Sequence, residues 1–188
     1  MQETEISPKV TNVMTSQSKI SQEFLDIGCG PNRIDNAIGL DIEAYPNVDV
    51  VHDVNQCPWP LPDNQFSYIK CQHAIEHFHN LHGVAKEMYR TAKNGCKIEF
   101  KTPHYSSFTS YGDPTHIHHF SQVTIPMLFD QAVGNDKYEV KLNKILFSSS
   151  AFAWMGRLLY WMSPRRYEKF FAWTFPAHEI HCIVEIKK

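Results

Sequence analysis

The sequence predicts an α/β fold of three layers, a mostly parallel sheet with helices packed on its faces. Three observations carry this reading. Apolar runs alternate with helical or loop segments along the chain, the pattern of parallel strands joined by crossovers. Two of those runs end in acids, Asp26 and Asp41, and a tight Gly28-Cys29-Gly30 turn follows the first. Acids at the carboxyl ends of adjacent parallel strands lie where such sheets bind ligands. Finally, 188 residues, 43% hydrophobic and 20% charged, suffice for one domain with a proper core and not for two.

Residues 1–18, rich in Ser, Thr, Gln and Glu, read as a mobile arm ahead of a single domain at 19–188. Strand one covers 22–27 and strand two 37–42. Only Pro31 to Asn36 separates the glycine turn from strand two, too little for a crossover helix of about ten residues or more. The first crossover is therefore a loop or a single turn. Val48 to Asp53 reads as strand three. Pro58, Pro60 and Pro62 then force an extended loop. Strand four covers 66–71. A helix is expected over 73–92, with Ile75, Phe78, Leu81, Val84 and Met88 at helical spacing and Asn94-Gly95 as its stop. Strand five covers 97–101, ended by Thr102-Pro103, and a helix follows at 121–133. The last two strands are 138–147 and 179–186. Between them lies an aromatic insert at 151–174, broken by Pro164 into two short helices.

Bulk properties exclude several classes. A net charge of −2 gives no field that favours nucleic acid. No stretch is apolar for the roughly 18–20 residues a membrane span needs, and the polar first 20 residues do not read as an export signal. Five cysteines at scattered spacings are expected as reduced thiols in a cytoplasmic protein. Cys29 reads as a small residue in a crowded loop, because no base accompanies it as it would a nucleophile.

Gly28 and Gly30 let the backbone turn sharply and approach a ligand, and Asp41 suits the two hydroxyls of a ribose. A glycine pair that binds nothing is the plain alternative. A nicotinamide dinucleotide site fits poorly, since Arg33 stands where a third glycine is expected. Asp26-Ile27-Gly28-Cys29-Gly30 resembles motif I of the class I S-adenosylmethionine-dependent methyltransferases. The stretch Gln72-His73-Ala74-Ile75-Glu76-His77 resembles that family's segment after strand four. Pro103-His104 and Asp113-Pro114-Thr115-His116 resemble a small stand-alone bacterial and archaeal subgroup, which also has a shortened first crossover. The resemblance covers roughly residues 22–130 and extends faintly to Phe175–Ile180.

That resemblance implies a Rossmann-like sheet with an antiparallel last strand. It implies methyl transfer from S-adenosylmethionine, with S-adenosylhomocysteine as product. The glycine loop, with Asp26 and Cys29, would face the methionine part of the cofactor. Asp41 and Ile42 would hold the ribose side. Asp53 would reach the exocyclic amine of adenine and Val54 would read the ring edge. Gln72 or His73 would lie near the methionine end, with His77 close by. Glu76 suits the positive end of the expected helix equally well.

Eleven histidines raise the question of a metal. His73 and His77, four apart on the expected helix, make a feasible ligand pair. No Cys-x-x-Cys accompanies them and the sequence names no third ligand, so no metal is assigned. His104 and His116, in loops at the carboxyl edge of the sheet, are the candidate general bases, because imidazole titrates near neutral pH. The insert reads as core packing, as a lid over an acceptor pocket, or as an interfacial or homodimer surface. The acceptor is expected to be a small molecule, with sugar and lipid open. A cofactor-binding regulatory protein and a nicotinamide oxidoreductase are the alternatives.

Overall fold

The computed structural model describes residues 23–149 and 152–188; the predicted arm at 1–18 lies outside them. The strands are β1 (Phe24–Ile27), β2 (Ala37–Asp41), β3 (Val50–Val51), β4 (Phe66–Gln72), β5 (Ala92–Pro103), β6 (Tyr138–Leu146) and β7 (Glu179–Ile186). They form one sheet in the order β3-β2-β1-β4-β5-β7-β6. The first five pair in parallel, and β7 runs antiparallel to both β5 and β6. This is the predicted mostly parallel sheet with its antiparallel last strand.

The register explains the site. Ile27 lies opposite Leu40 on one side and Cys71 on the other, so β1, β2 and β4 end together. The chain leaves β1 toward β2, while the second half of the sheet starts at β4 on β1's other side. The strand order therefore reverses beside β1, which is where open α/β sheets bind ligands. Leu25, Ile27, Leu40, Ile69, Ile98 and Phe100 are fully buried, as parallel strands covered on both faces should be. Each such side chain stabilises the fold by roughly 1.5–3 kcal/mol.

Helices α1 (Leu81–Thr91) and α3 (Thr124–Ala132) pack against each other. A short α2 (Phe108–Gly112) interrupts the loop after β5. The insert forms α4 (Ala153–Met162) and then α5 (Pro164–Arg166), which runs into a π-helical turn at Tyr167–Phe171. The break falls at Ser163-Pro164, as predicted. Tyr167 and Ala172 join Ile145 and Ala177 in a second, small core.

Two expected elements are shorter than predicted. The helix expected from residue 73 begins at Leu81, and only Ile75–His77 forms a 3-10 turn before it. Asn80 is its cap, its side chain accepting the Gly83 N–H at 3.0 Å. The segment before it is drawn away because Asn55 Oδ1 accepts the N–H groups of His79 and Asn80 at 2.7 and 3.0 Å. Strand three shrinks to Val50–Val51. Its start is replaced by a side chain, Asp49 accepting the Gly39 N–H at 2.8 Å. Its end bends into a turn in which Asp53 Oδ1 accepts the Asn55 N–H at 2.9 Å.

Candidate active site

No helix forms between Ile27 and Ala37; carboxylates hold the chain there instead. Gly28 and Gly30 take left-handed φ values of 62° and 53°, which glycine adopts without strain. The Gly28 N–H donates to the Leu40 carbonyl at 2.8 Å. The Gly30 N–H donates to Asp41 Oδ2 at 2.8 Å, and Asp41 Oδ1 accepts the Glu43 N–H at 3.0 Å. Asp26 Oδ2 accepts the Ile34 N–H at 2.9 Å and closes the short crossover. Arg33, in the place of a third glycine, is paired with Asp49.

A Cβ on Gly28 would stand 2.4 Å from the Ala74 Cβ, so the turn touches the loop after β4. A Cβ on Gly30 would meet nothing within 4 Å: that side of the turn is open for a ligand.

Two clefts meet at Gly28. The larger, about 360 Å³, is lined by Gly28, Asp41, Ile42, Asp53, Val54 and His77, together with His52, Asn55, Phe78 and His79. The smaller, about 180 Å³, is lined by Asp26, Gly28, Cys29, Gln72 and His73, with Asn32 and Lys70. The larger has the size of a small-molecule site. Every predicted cofactor residue except Gly30 lines one or the other, and Gly30 forms the turn between them. Sequence reasoning missed six lining residues. The Asp53-Val54-Asn55 order, which suits a turn, is the signal that could have marked Asn55, and Lys70 sits two positions before Gln72 on β4. Phe78 was read only as a core position of the expected helix.

Charge in the smaller cleft is arranged by burial and pairing. Burial raises the Asp26 carboxyl above its usual range, while the Ile34 N–H and Lys70, 4.0 Å away, act against that rise. Burial and the nearby Asp26 push the Cys29 thiol up to about 11, so it is a thiol at neutral pH and no nucleophile. His73, at φ 49°, lies between two carboxylates. Glu76, 3.6 Å from Nδ1, and Glu179, 3.0 Å from Nε2, raise its pKa. His73 and His77 do not share a helix face, because no α-helix forms there.

The two candidate bases part company. His104 is fully buried. Its Nδ1 accepts from the Ser106 N–H at 3.2 Å and meets Ser106 Oγ at 2.8 Å, leaving Nε2–H to donate to Glu168 Oε1 at 3.1 Å. With both nitrogens engaged and no open face, it joins β5 to the insert and does not reach the clefts. His116 stands beside the cleft wall, stacked edge-on against His77 with ring centroids 4.7 Å apart.

A parallel sheet with a ligand cleft at its switch point, walled by a glycine turn and strand-end acids, defines a nucleotide-binding class of α/β protein. The family model for a methyltransferase domain matches residues 3–183, and the chain belongs to that family. No curated protein matches the sequence significantly. Among solved structures, the YcgJ protein of Bacillus subtilis is similar with a TM-score of 0.60 and 17% identity, covering 90% of this chain and 93% of its own. A SAM-dependent methyltransferase from Archaeoglobus fulgidus gives 0.59 and 20%, covering 86% and 85%. The [4+2]-cyclase SpnF gives 0.58 and 14%, covering 87% and 75%. At these identities the likeness is one of fold. No helix among the described residues is long and apolar enough to cross a membrane.

Proposed function

We propose that this chain binds S-adenosylmethionine across the two clefts and transfers its methyl group to an oxygen or nitrogen of a small-molecule acceptor. The observation that carries the reading is the junction at Gly28. The larger cleft, with Asp41 at the end of β2 and Asp53 in the turn after β3, suits a nucleoside. The smaller, with Asp26, Gln72 and His73, suits an amino-acid tail. In this reading Asp41 accepts from the ribose hydroxyls, flanked by Ile42. Asp53 accepts from the adenine amine beside the Val54 backbone. Gly28, Cys29 and Gly30 bring the backbone close to the tail. Glu76 and Glu179 beside His73 favour its charged form and raise its pKa. His77 closes the wall.

The bound cofactor supplies an activated methyl group on sulfur. The chain's contribution is to hold donor and acceptor at attack distance, an effect worth roughly 7–11 kcal/mol. Neither His104, sealed in the interior, nor His116, turned toward Glu76, is proposed as a free base. A nicotinamide site is disfavoured by Arg33, which stands where a third glycine is expected and pairs with Asp49.

Incubation with S-adenosylmethionine carrying a labelled methyl, against a panel of small alcohols and amines, tests the proposal. Label should pass to an acceptor with matching release of S-adenosylhomocysteine. The similarity to a structure described as a cyclase keeps a second reading, cofactor binding without methyl transfer. Tight binding with no product from any acceptor favours that reading.

A further inference from the structure

We propose that Glu76, His77 and His116 form a site for one divalent transition-metal ion of the zinc type, in the wall of the larger cleft. One ligand atom from each residue lies within 4.8 Å of the others. Glu76 is only 1% exposed. Its Oε2 accepts from Thr102 Oγ1 at 3.0 Å, while its Oε1 is buried with no hydrogen-bond partner. A buried carboxylate oxygen whose nearest basic groups, His73 and His116, stand 3.6 and 3.9 Å off, beyond hydrogen-bond reach, is costly and suits a closer cation.

The histidines are set to supply lone pairs. His116 Nδ1 lies 3.3 Å from the Ser110 carbonyl, to which only an N–H can bond. The neutral ring therefore carries its lone pair on Nε2. That atom faces Glu76 Oε1 and Asp113 Oδ2, each at 3.9 Å. A lone pair facing two carboxylate oxygens is repulsive unless a positive charge lies between them. His77 Nδ1 lies 3.1 Å from both the Thr115 carbonyl and Thr115 Oγ1, whose own proton goes to Asp113; both then accept from Nδ1–H, and the neutral ring carries its lone pair on Nε2 likewise. An N–H held by a backbone carbonyl is how metal-ligating histidines are oriented.

The two segments are already fastened together. The N–H groups of Ile117 and His118 both donate to the Glu76 carbonyl, at 3.0 and 3.2 Å. Of the expected His73/His77 pair only His77 belongs to this site; Glu76 beside it and His116 from the loop after β5 complete it. Two imidazoles and one carboxylate suit zinc and its first-row neighbours, whereas calcium and magnesium take oxygen donors. Three protein ligands leave a fourth position open. Bonds of about 2.0–2.2 Å place tetrahedral ligand atoms roughly 3.3–3.6 Å apart, so the side chains close in on the ion. The other basic group near Glu76 Oε1 is His73, whose Nδ1 is 3.6 Å away and whose Nε2 meets Glu179 at 3.0 Å. This site does not rest on the cofactor reading, because metal uptake is measured with no cofactor present.

Full-length chain stripped with a chelator is titrated with Zn²⁺ by calorimetry and with Co²⁺ by visible absorption. The expected result is one ion per chain, tetrahedral-type cobalt bands and a melting temperature that rises with Zn²⁺. His77→Ala and His116→Ala should each weaken binding by at least about 100-fold while melting in chelator like the native chain. His79→Ala should bind as the native chain does. If one of the first two variants fails to fold, the other decides. Absence of cobalt bands, or equal Zn²⁺ affinity in the native chain and the folding variant, overturns the proposal. So does a His116 ring that stays doubly protonated against Glu76 and takes up no Zn²⁺.

Discussion

Residues 24–80 and the insert after β6 solve opposite problems. In the first region, side-chain carboxylates grip backbone N–H groups: Asp26 on Ile34, Asp41 on Gly30 and Glu43, Asp49 on Gly39, Asp53 on Asn55. These bonds fix loops at the sheet's edge and leave a cleft between them. In the second region, rings pack on rings. Tyr167 lies 5.3 Å from Phe147 and 5.9 Å from Tyr160 between centroids. The outer face of the insert exposes Phe152, Trp154, Trp161, Phe170 and Trp173. The difference teaches where specificity of shape comes from. Charge-assisted hydrogen bonds are directional and fix the loops that wall a cleft, whereas aromatic packing is more tolerant of position.

The sharpest way to break this comparison is at the turn. Gly28→Ala places a methyl 2.4 Å from the Ala74 Cβ in a left-handed conformation. It should cost roughly 2–4 kcal/mol of stability by denaturant unfolding. Gly30→Ala has the same backbone strain but open space around it, and should cost only about 1–2 kcal/mol. Equal losses would mean that the contact with Ala74 does not matter.

The same contrast explains what was legible in the sequence. Asp26, Gly28, Gly30, Asp41 and Asp53 announce themselves because each is a short-range signal at the end of an apolar run. Strands β6 and β7 were legible in the sequence, the latter to the residue. His104 was misjudged because its position in a loop after β5 says nothing of burial; the partner that seals it, Glu168, is 64 residues away. The helix start at Leu81 depended on Asn55 pulling residues 79 and 80 toward it, again across the chain. The triad of Glu76, His77 and His116 joins two loops that only folding brings together.

His104 ties the end of β5 to the insert, so its loss measures how firmly the insert is attached. His104→Ala removes one hydrogen bond each from Ser106 and Glu168, which keep the Ala177 and Gln122 N–H groups, and should cost about 1–3 kcal/mol. Proteolysis should then cut the insert before the glycine-turn region. Simultaneous cutting of both would contradict the division drawn above.

A smaller effect concerns pH. Because burial raises the Asp26 pKa, the folded chain holds that proton more tightly than the unfolded chain. Its contribution to stability is full below the ordinary aspartate value of about 3.9 and is lost as pH rises through the raised value. Asp26→Asn removes that slope and keeps an acceptor for the Ile34 N–H. Unfolding curves from acid to neutral pH should diverge between the two proteins in that window alone. Least of all, Trp161→Ser, at a side chain 81% exposed, should change stability by no more than about 0.5 kcal/mol.

The central claim is that the glycine turn and its acids bind the cofactor and that the insert does not. Calorimetric titration with S-adenosylhomocysteine tests it most directly. The native chain and Trp161→Ser should bind alike, and Asp41→Ala should bind more weakly by roughly 1–3 kcal/mol, from lost charge-assisted hydrogen bonds. Unchanged affinity in Asp41→Ala, or no binding by the native chain, would contradict the account.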